Sequence, residues 1–320
     1  MNIVLTGSVA YDYLMTFPGY FKDHILPEHI GSISLSFLVD SMVRRRGGIA
    51  PNIAYTLSLF GERPRLLAAV GEDFEEYRVW LESHNIDTRG ARCIPGVYTA
   101  SFFATTDRAN AQIATFYPGA MAFAAQLPIK ELQGEPPALI MISPNDPAAM
   151  TSYAQECQEL GIPYIYDPSQ QIIRLSEQEL RQGIEGALAL FVNDYEFALI
   201  QKHAGMSIGE ILECVEFMVV TRGEQGATVY CGSRAYPIPG IPPEQIADPT
   251  GVGDAFRGGY LKAYSHHMDW ETCGRVGALA ATYCLEQHGP QNHCYSPAEF
   301  LKRYRCHFDD KQALDVFLDE

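Results

Sequence analysis

Asp248-Pro249-Thr250-Gly251-Val252-Gly253-Asp254-Ala255-Phe256-Arg257-Gly258-Gly259 is the stretch from which the fold and the chemistry are read. Pro249 and Thr250 end one element, and two glycines turn the backbone tightly into the apolar-periodic run Ala255, Phe256, Tyr260, Leu261 and Tyr264, which is helical. Glycine permits the bend, so several N–H groups converge at the start of the helix and make an anion site. Asp254 falls in the first turn. A carboxylate beside a concave array of amides can take a proton from a hydroxyl while the amides hold the anion under attack, which is phosphoryl transfer without a Walker loop. The competing reading is a capping aspartate that complements the helix dipole.

Bulk properties narrow the classes. The 320 residues suffice for a large core, and 47% hydrophobic with 19% charged residues is the composition of a soluble globular chain. No apolar run reaches the length of a membrane span, and the N-terminus enters Ile3-Val4-Leu5 without a basic leader, so a cytoplasmic protein is expected with no membrane partner. A net charge of −16 with no basic stripe argues against nucleic acid. Any anion site must then be local, built from amides, a few arginines and Mg²⁺. The eight cysteines form no C-x-x-C pair, and His293-Cys294 with Cys306-His307 matches no common zinc module; reduced thiols are expected.

Apolar strands are predicted at Leu66 to Val70, Ala138 to Ile142, Tyr164 to Tyr166, Ala189 to Val192 and Phe217 to Thr221, after an opening strand at Asn2 to Leu5. They alternate with helices at Ile49 to Phe60, Asp73 to His84, Pro147 to Glu159, Asp254 to His266 and Trp270 to Glu286. That order predicts an α/β fold with a doubly wound, mostly parallel sheet covered on both faces. Antiparallel-style strands are predicted at Ser32 to Val39, Val97 to Thr105 and Gln112 to Phe116. The expected organisation is one domain over residues 1–320, with a small β lid made from two insertions at about 13–45 and 95–118. Ligands of such sheets sit beyond the carboxyl ends of the strands.

Four further groups fall at those ends. Gly47-Gly48-Ile49-Ala50-Pro51-Asn52 allows close backbone approach and offers the Asn52 amide to a polyhydroxy ligand, or is a plain loop-to-helix junction. Asp12, after Gly7-Ser8, can accept from two vicinal hydroxyls, or is a solvated turn residue. Asn193-x-x-Glu196 either faces phosphates and Mg²⁺ or forms a capping box. Thr221-Arg222-Gly223-Glu224-Gln225-Gly226 is by itself an ordinary turn at a strand end.

The Asp248–Phe256 stretch resembles the C-terminal signature of the ribokinase-like (PfkB) kinases of sugars and nucleosides, with Val252 where that signature has Ala. Gly47–Asn52 continued by Ala54-Tyr55-Thr56-Leu57-Ser58-Leu59-Phe60-Gly61 resembles their N-terminal signature. Gly7 to Asp12, Leu35 to Asp40, Phe116 to Ala120 and Asp167 to Gln171 are similar to bacterial adenosine kinases, over nearly the whole chain. The resemblance implies transfer of the γ-phosphoryl of ATP to the 5′-hydroxyl of adenosine, with Mg²⁺ and a monovalent cation such as K⁺ as cofactors. Asp254 would be the base, with the Gly251 and Gly253 amides as anion hole. Ser8, Asp12, Ser36, Gly48 and Asn52 would surround the ribose, Phe102 and Phe116 would sandwich adenine, and Gln170, Gln171 and Arg174 would close the site. Thr221 to Gly226 resembles the family's nucleotide loop, a resemblance that also puts Glu286 to Gln291 at the adenine end of the ATP site. Asn193, Thr221, Gly223, Gly226 and Gly253 would contact ATP, and Glu196 would hold Mg²⁺, through water or directly. A homodimer through the lid strands is also implied. A sugar kinase on the same fold and a non-catalytic nucleoside sensor are the alternatives.

Overall fold

In the computed structural model, residues 1–26, 31–32 and 34–318 are described. The strands are β1 (Ile3–Thr6), β2 (Ala10–Thr16), β3 (Ser41–Gly47), β4 (Arg65–Val70), β5 (Asp87–Cys93), β6 (Ala100–Thr106) and β7 (Gln112–Tyr117). They are followed by β8 (Leu139–Ile142), β9 (Tyr164–Tyr166), β10 (Ala189–Asn193), β11 (Phe217–Thr221), β12 (Ala227–Cys231) and β13 (Arg234–Ile238). The helices are α1 (Ile49–Ser58), α2 (Glu75–Ser83), α3 (Pro147–Leu160), α4 (Glu177–Ile184), α5 (Asp194–His203), α6 (Ile208–Cys214), α7 (Val252–Ser265), α8 (Trp270–Leu285) and α9 (Pro297–His307).

The large sheet runs β13-β12-β11-β10-β9-β8-β1-β4-β5, parallel except for the β11-β12-β13 hairpins. Its strands read as continuous apolar runs because both faces are covered, and their period of two divides the core. Leu5, Met141, Phe191 and Val219 face α1, α2, α7, α8 and α9 in one cluster. Val4, Ile140, Leu190 and Val220 face α3, α4, α5 and α6 in the other. Among the described residues no helix is long and apolar enough to cross a membrane.

A second sheet, β3-β2-β6-β7, grows out of the carboxyl end of β1, because Ala10 opens β2 only four residues after β1 ends at Thr6. β3 returns directly into α1 through Gly47 and Gly48. At Gly48, φ is +96°, and a Cβ there would meet the Ser8 carbonyl oxygen at 2.4 Å, so only glycine makes this return. The predicted strand at Ser32 to Val39 is not found: residues 34–39 carry no strand, and Ile33 lies outside the described residues. The strand is Ser41–Gly47 instead, whose three arginines hide it from a hydrophobic pattern. Arg44 stacks on Tyr11 and Arg46 on Trp80, so tertiary contacts hold side chains that alternation cannot reveal. β2, β5, β12, β13 and helices α4, α5, α6 and α9 were likewise not anticipated from apolar periodicity.

α7 and α8 pack closely through small residues. A Cβ on Gly259 would lie 2.8 Å from both the Ala280 Cβ and the Val276 carbonyl oxygen. Gly259→Ala should therefore cost about 1–3 kcal/mol in urea unfolding. Gly209→Ala on α6, where the nearest atom would be the Ser207 Oγ at 3.9 Å, should leave stability unchanged or slightly higher. Equal effects of the two changes would refute this account of the α7–α8 contact.

Candidate active site

The carboxyl ends of β1, β9, β10 and β11 open onto a cavity of about 440 Å³, with the start of α7 on one side and the small sheet above. Ser8, Asp12, Gly48, Asn52, Phe102, Phe116, Gln170, Asn193, Glu196, Thr221, Gly251, Gly253 and Asp254 all line it. Residues spread over 247 positions thus meet in one crevice, as an open α/β sheet requires.

The floor is the turn into α7. Gly251 is its N-cap with φ +78°, and a Cβ there would strike the Pro290 ring at 2.3 Å. The Val252 N–H donates back to the Pro249 carbonyl at 3.4 Å and the Ala255 N–H to the Gly251 carbonyl at 2.9 Å, which leaves the Gly253 and Asp254 amides between them without an intrahelical acceptor. Asp254 Oδ2 accepts a hydrogen bond from Asn52 Nδ2 at 2.7 Å. Gln291 Nε2 in turn donates to Asn52 Oδ1 at 2.7 Å and to the Tyr77 hydroxyl at 2.6 Å, and Tyr77 donates to the Gly47 carbonyl. Gln291 is thereby buried behind Asn52, and Glu286 pairs with Arg303, so neither lines the cavity as the expected adenine wall.

Arg257, one turn beyond Asp254, lines the cavity and was not singled out in the sequence. Its Nη2 donates to Asp167 Oδ1 at 2.9 Å, its Nε lies 2.6 Å from Asp167 Oδ2, and its Nη1 donates to the Gly253 carbonyl at 2.9 Å. An arginine four positions after Gly253 on a helix that starts at a crevice was the available signal. Burial pushes the Asp254 carboxyl up to about 7, against the Arg257 guanidinium and the Asn52 amide, which both pull it down. That places the group where a general base works at neutral pH.

The roof is one rung of the small sheet. Asp12, Phe102 and Phe116 are register partners on β2, β6 and β7, so their side chains rise from the same face. The two rings therefore form a platform side by side rather than two opposed walls. Burial holds the Asp12 carboxyl up to about 6, with Arg45 opposing. Across the cavity, Asn193 and Glu196 make a reciprocal capping box: Glu196 N–H donates to Asn193 Oδ1, and Asn193 N–H donates to Glu196 Oε2. Glu196 Oε1 also accepts from Ser169 Oγ at 2.9 Å. The capping box is formed, and Asn193 and Glu196 both also line the cavity. Among the described residues no cluster of three or more His, Cys, Asp or Glu side chains could hold a metal ion.

Five expected residues stand outside the lining. Ser36 is exposed in the strandless segment before β3. Gln171 is buried and accepts from Arg174, which points outward. Gly223 is exposed in the turn after β11, and Gly226 sits under the Ile238 carbonyl, where a Cβ would come within 2.1 Å.

Residues 8–298 match the profile described as pfkB family carbohydrate kinase. The chain is 30% identical over 308 residues to a nucleoside kinase of Methanothermobacter thermautotrophicus, covering 95% of each. It superposes on the Burkholderia thailandensis nucleoside kinase in complex with inosine with a TM-score of 0.86 at 35% identity, covering 96% of this chain and 98% of that one. The same Burkholderia kinase in complex with ADP-inosine gives 0.83 at 37% identity, covering 96% of each chain. The carboxylate at the amide-rich start of α7 and the roof sheet above it both lie within the matched residues: the chain belongs to the pfkB family of carbohydrate kinases, ATP-dependent phosphotransferases that act on hydroxyl groups.

Proposed function

We propose that this chain is a nucleoside kinase that transfers the γ-phosphoryl of ATP to the 5′-hydroxyl of adenosine, giving AMP and ADP as a purine-salvage enzyme does. The observation that carries this reading is the rung Asp12–Phe102–Phe116 facing Asp254 across one cavity. The rings present a flat apolar platform to a base, while Asp12 beside them meets the ribose diol. Ser8, Gly48 and Asn52 border the sugar, and Gln170 lies at the rim.

In this mechanism Asp254 removes the proton from the 5′-hydroxyl as the oxygen attacks the γ-phosphorus in line. The Gly251 and Gly253 amides stabilise the charge on the transferring group. Asn193 and Thr221 face the donor phosphates, and Glu196 would hold Mg²⁺ through water, the ion supplying charge neutralisation on those phosphates. The small sheet is the lid that excludes water. On its face away from the cavity, Met42, Phe103, Ile113 and Tyr117 are exposed, which supports a homodimer through this sheet, and sedimentation velocity decides it. Inosine as acceptor is the second reading, favoured by the inosine complex of the Burkholderia kinase.

ATP-dependent turnover of adenosine, inosine, guanosine, ribose and fructose tests the assignment. Adenosine should be phosphorylated fastest; a free sugar in front would remove the stacking argument, and tight adenosine binding without turnover would leave a sensor. Phe116→Ala should weaken adenosine binding by about 1–3 kcal/mol while ATP binding changes little, and equal losses by calorimetry would count against the platform.

Asp254→Asn should lower kcat by about 10²–10⁴-fold with adenosine still bound, and wild-type turnover in that variant would exclude Asp254 as the base. The base works only when unprotonated, so kcat/KM should fall as pH drops through about 7. Asn52→Ala removes a donor that favours the carboxylate, so the acid limb should move to higher pH. A limb that stays in place or moves down would show that Asn52 does not tune the base.

A further inference from the structure

The roof rung continues one strand further than the cavity. Arg45 on β3 is the register partner of Asp12, so Arg45, Asp12, Phe102 and Phe116 form a single row across all four strands. Three of the four line the cavity. Arg45, at the end of the row, reaches instead to the loop before α7, where its Nη1 lies 2.5 Å from Asp248 Oδ2. The same oxygen accepts the Gly289 N–H at 3.1 Å, and Asp248 Oδ1 accepts the Thr250 N–H at 2.9 Å. One carboxylate thus joins the roof strand, the loop after α8 and the loop that holds Gly251 and Gly253. Burial pushes the Asp248 carboxyl up, but the Thr250 and Arg45 hydrogen bonds outweigh it and hold it below its ordinary value. The contact is largely enclosed, with side-chain exposures of 24% for Arg45 and 14% for Asp248.

We infer that Arg45 is a positioning residue for phosphoryl transfer, a resident cation that couples the nucleoside-bearing rung to the placement of the anion-hole loop. Between 248 and 254 the carboxylates are Asp248 and Asp254, and Asp254 faces the acceptor. A monovalent cation serving this loop would turn to Asp248, yet both its oxygens already hold a guanidinium and two amides. The residues present do not fit such an ion there, and the chain supplies the charge itself. The guanidinium is fixed by its strand and cannot dissociate with changes in salt, so roof and loop move as one unit. This inference rests on the anion-loop reading proposed above.

The test measures kcat and KM in buffers whose monovalent cation is K⁺, Na⁺ or choline, for the wild type, Arg45→Ala and Arg45→Lys. Wild-type turnover on adenosine, measured first, tests the earlier reading by itself; the variants are then assayed with whichever acceptor the wild type uses. The wild type should run equally in all three buffers. Arg45→Ala should lose about 10²-fold in kcat, the scale of a displaced catalytic loop, with a smaller change in the KM for ATP. Added guanidinium or K⁺ should restore part of that loss, which a merely structural defect would not allow. Arg45→Lys keeps the point charge without the planar fork and should fall between. If thermal melting shows Arg45→Ala unfolded, Asp248→Asn is read in its place, with the same loss and no rescue by any cation. A wild type that stops without K⁺, an Arg45→Ala with wild-type kcat, a folded Arg45→Ala whose loss no cation restores, or an Asp248→Asn with wild-type kcat each overturns the inference.

Discussion

A half-buried carboxylate at the start of α7 is the constraint on which the rest of the site depends. Burial works against its ionised form, and two groups from elsewhere in the chain offset that cost: the Asn52 amide from α1 and the Arg257 guanidinium one turn on. Arg257 is itself buried, which is tolerable only because Asp167 at the end of β9 pairs with it. Removing one member of such a pair leaves an uncompensated buried charge, a far larger penalty than the net worth of the intact pair. The β9 end, the α1 start and the α7 start are therefore tied to one another by electrostatics, and the cavity takes its shape between them.

The same logic accounts for anion chemistry on a strongly acidic chain. With a net charge of −16, long-range attraction cannot gather a polyanionic donor. Local fields must do it, and they come from amides at a glycine-rich turn and a few arginines whose charges are locked in place. Preorganised dipoles in an enclosed site act more strongly than the same groups in water, because they need not reorient as charge develops. The small sheet contributes through its pleat: one face of one rung carries Asp12, Phe102 and Phe116 into the cavity. A slip of one residue in register would turn all three away from it.

Much of this was legible in the sequence where local rules govern. The parallel strands β8, β9, β10 and β11 and the helices α1, α3, α7 and α8 follow from apolar runs, period and glycine placement, within a residue or two at each end. The two signature stretches put Asn52 and Asp254 into the same reading before any contact between them was known. β3 was not legible, because its arginines are held by Tyr11, Trp80 and Asp248, contacts that no window of sequence contains. Gln291 escaped for the same reason: a buried amide that bridges Asn52 and Tyr77 looks like a loop residue until the chain closes around it.

By itself the sequence determined the strands and helices marked by continuous apolar runs or clear helical period, and which side chains have the chemistry for phosphoryl transfer, since both depend on neighbours along the chain. Only the tertiary structure decided that Asp254 titrates near neutrality, that Phe102 and Phe116 lie side by side, and that Ser36 and Arg174 stand clear of the cavity. Those properties depend on desolvation, register and through-space charge. Each is set by residues on different elements that meet only when the sheets are assembled, as Asn52 and Asp254 do across 202 positions.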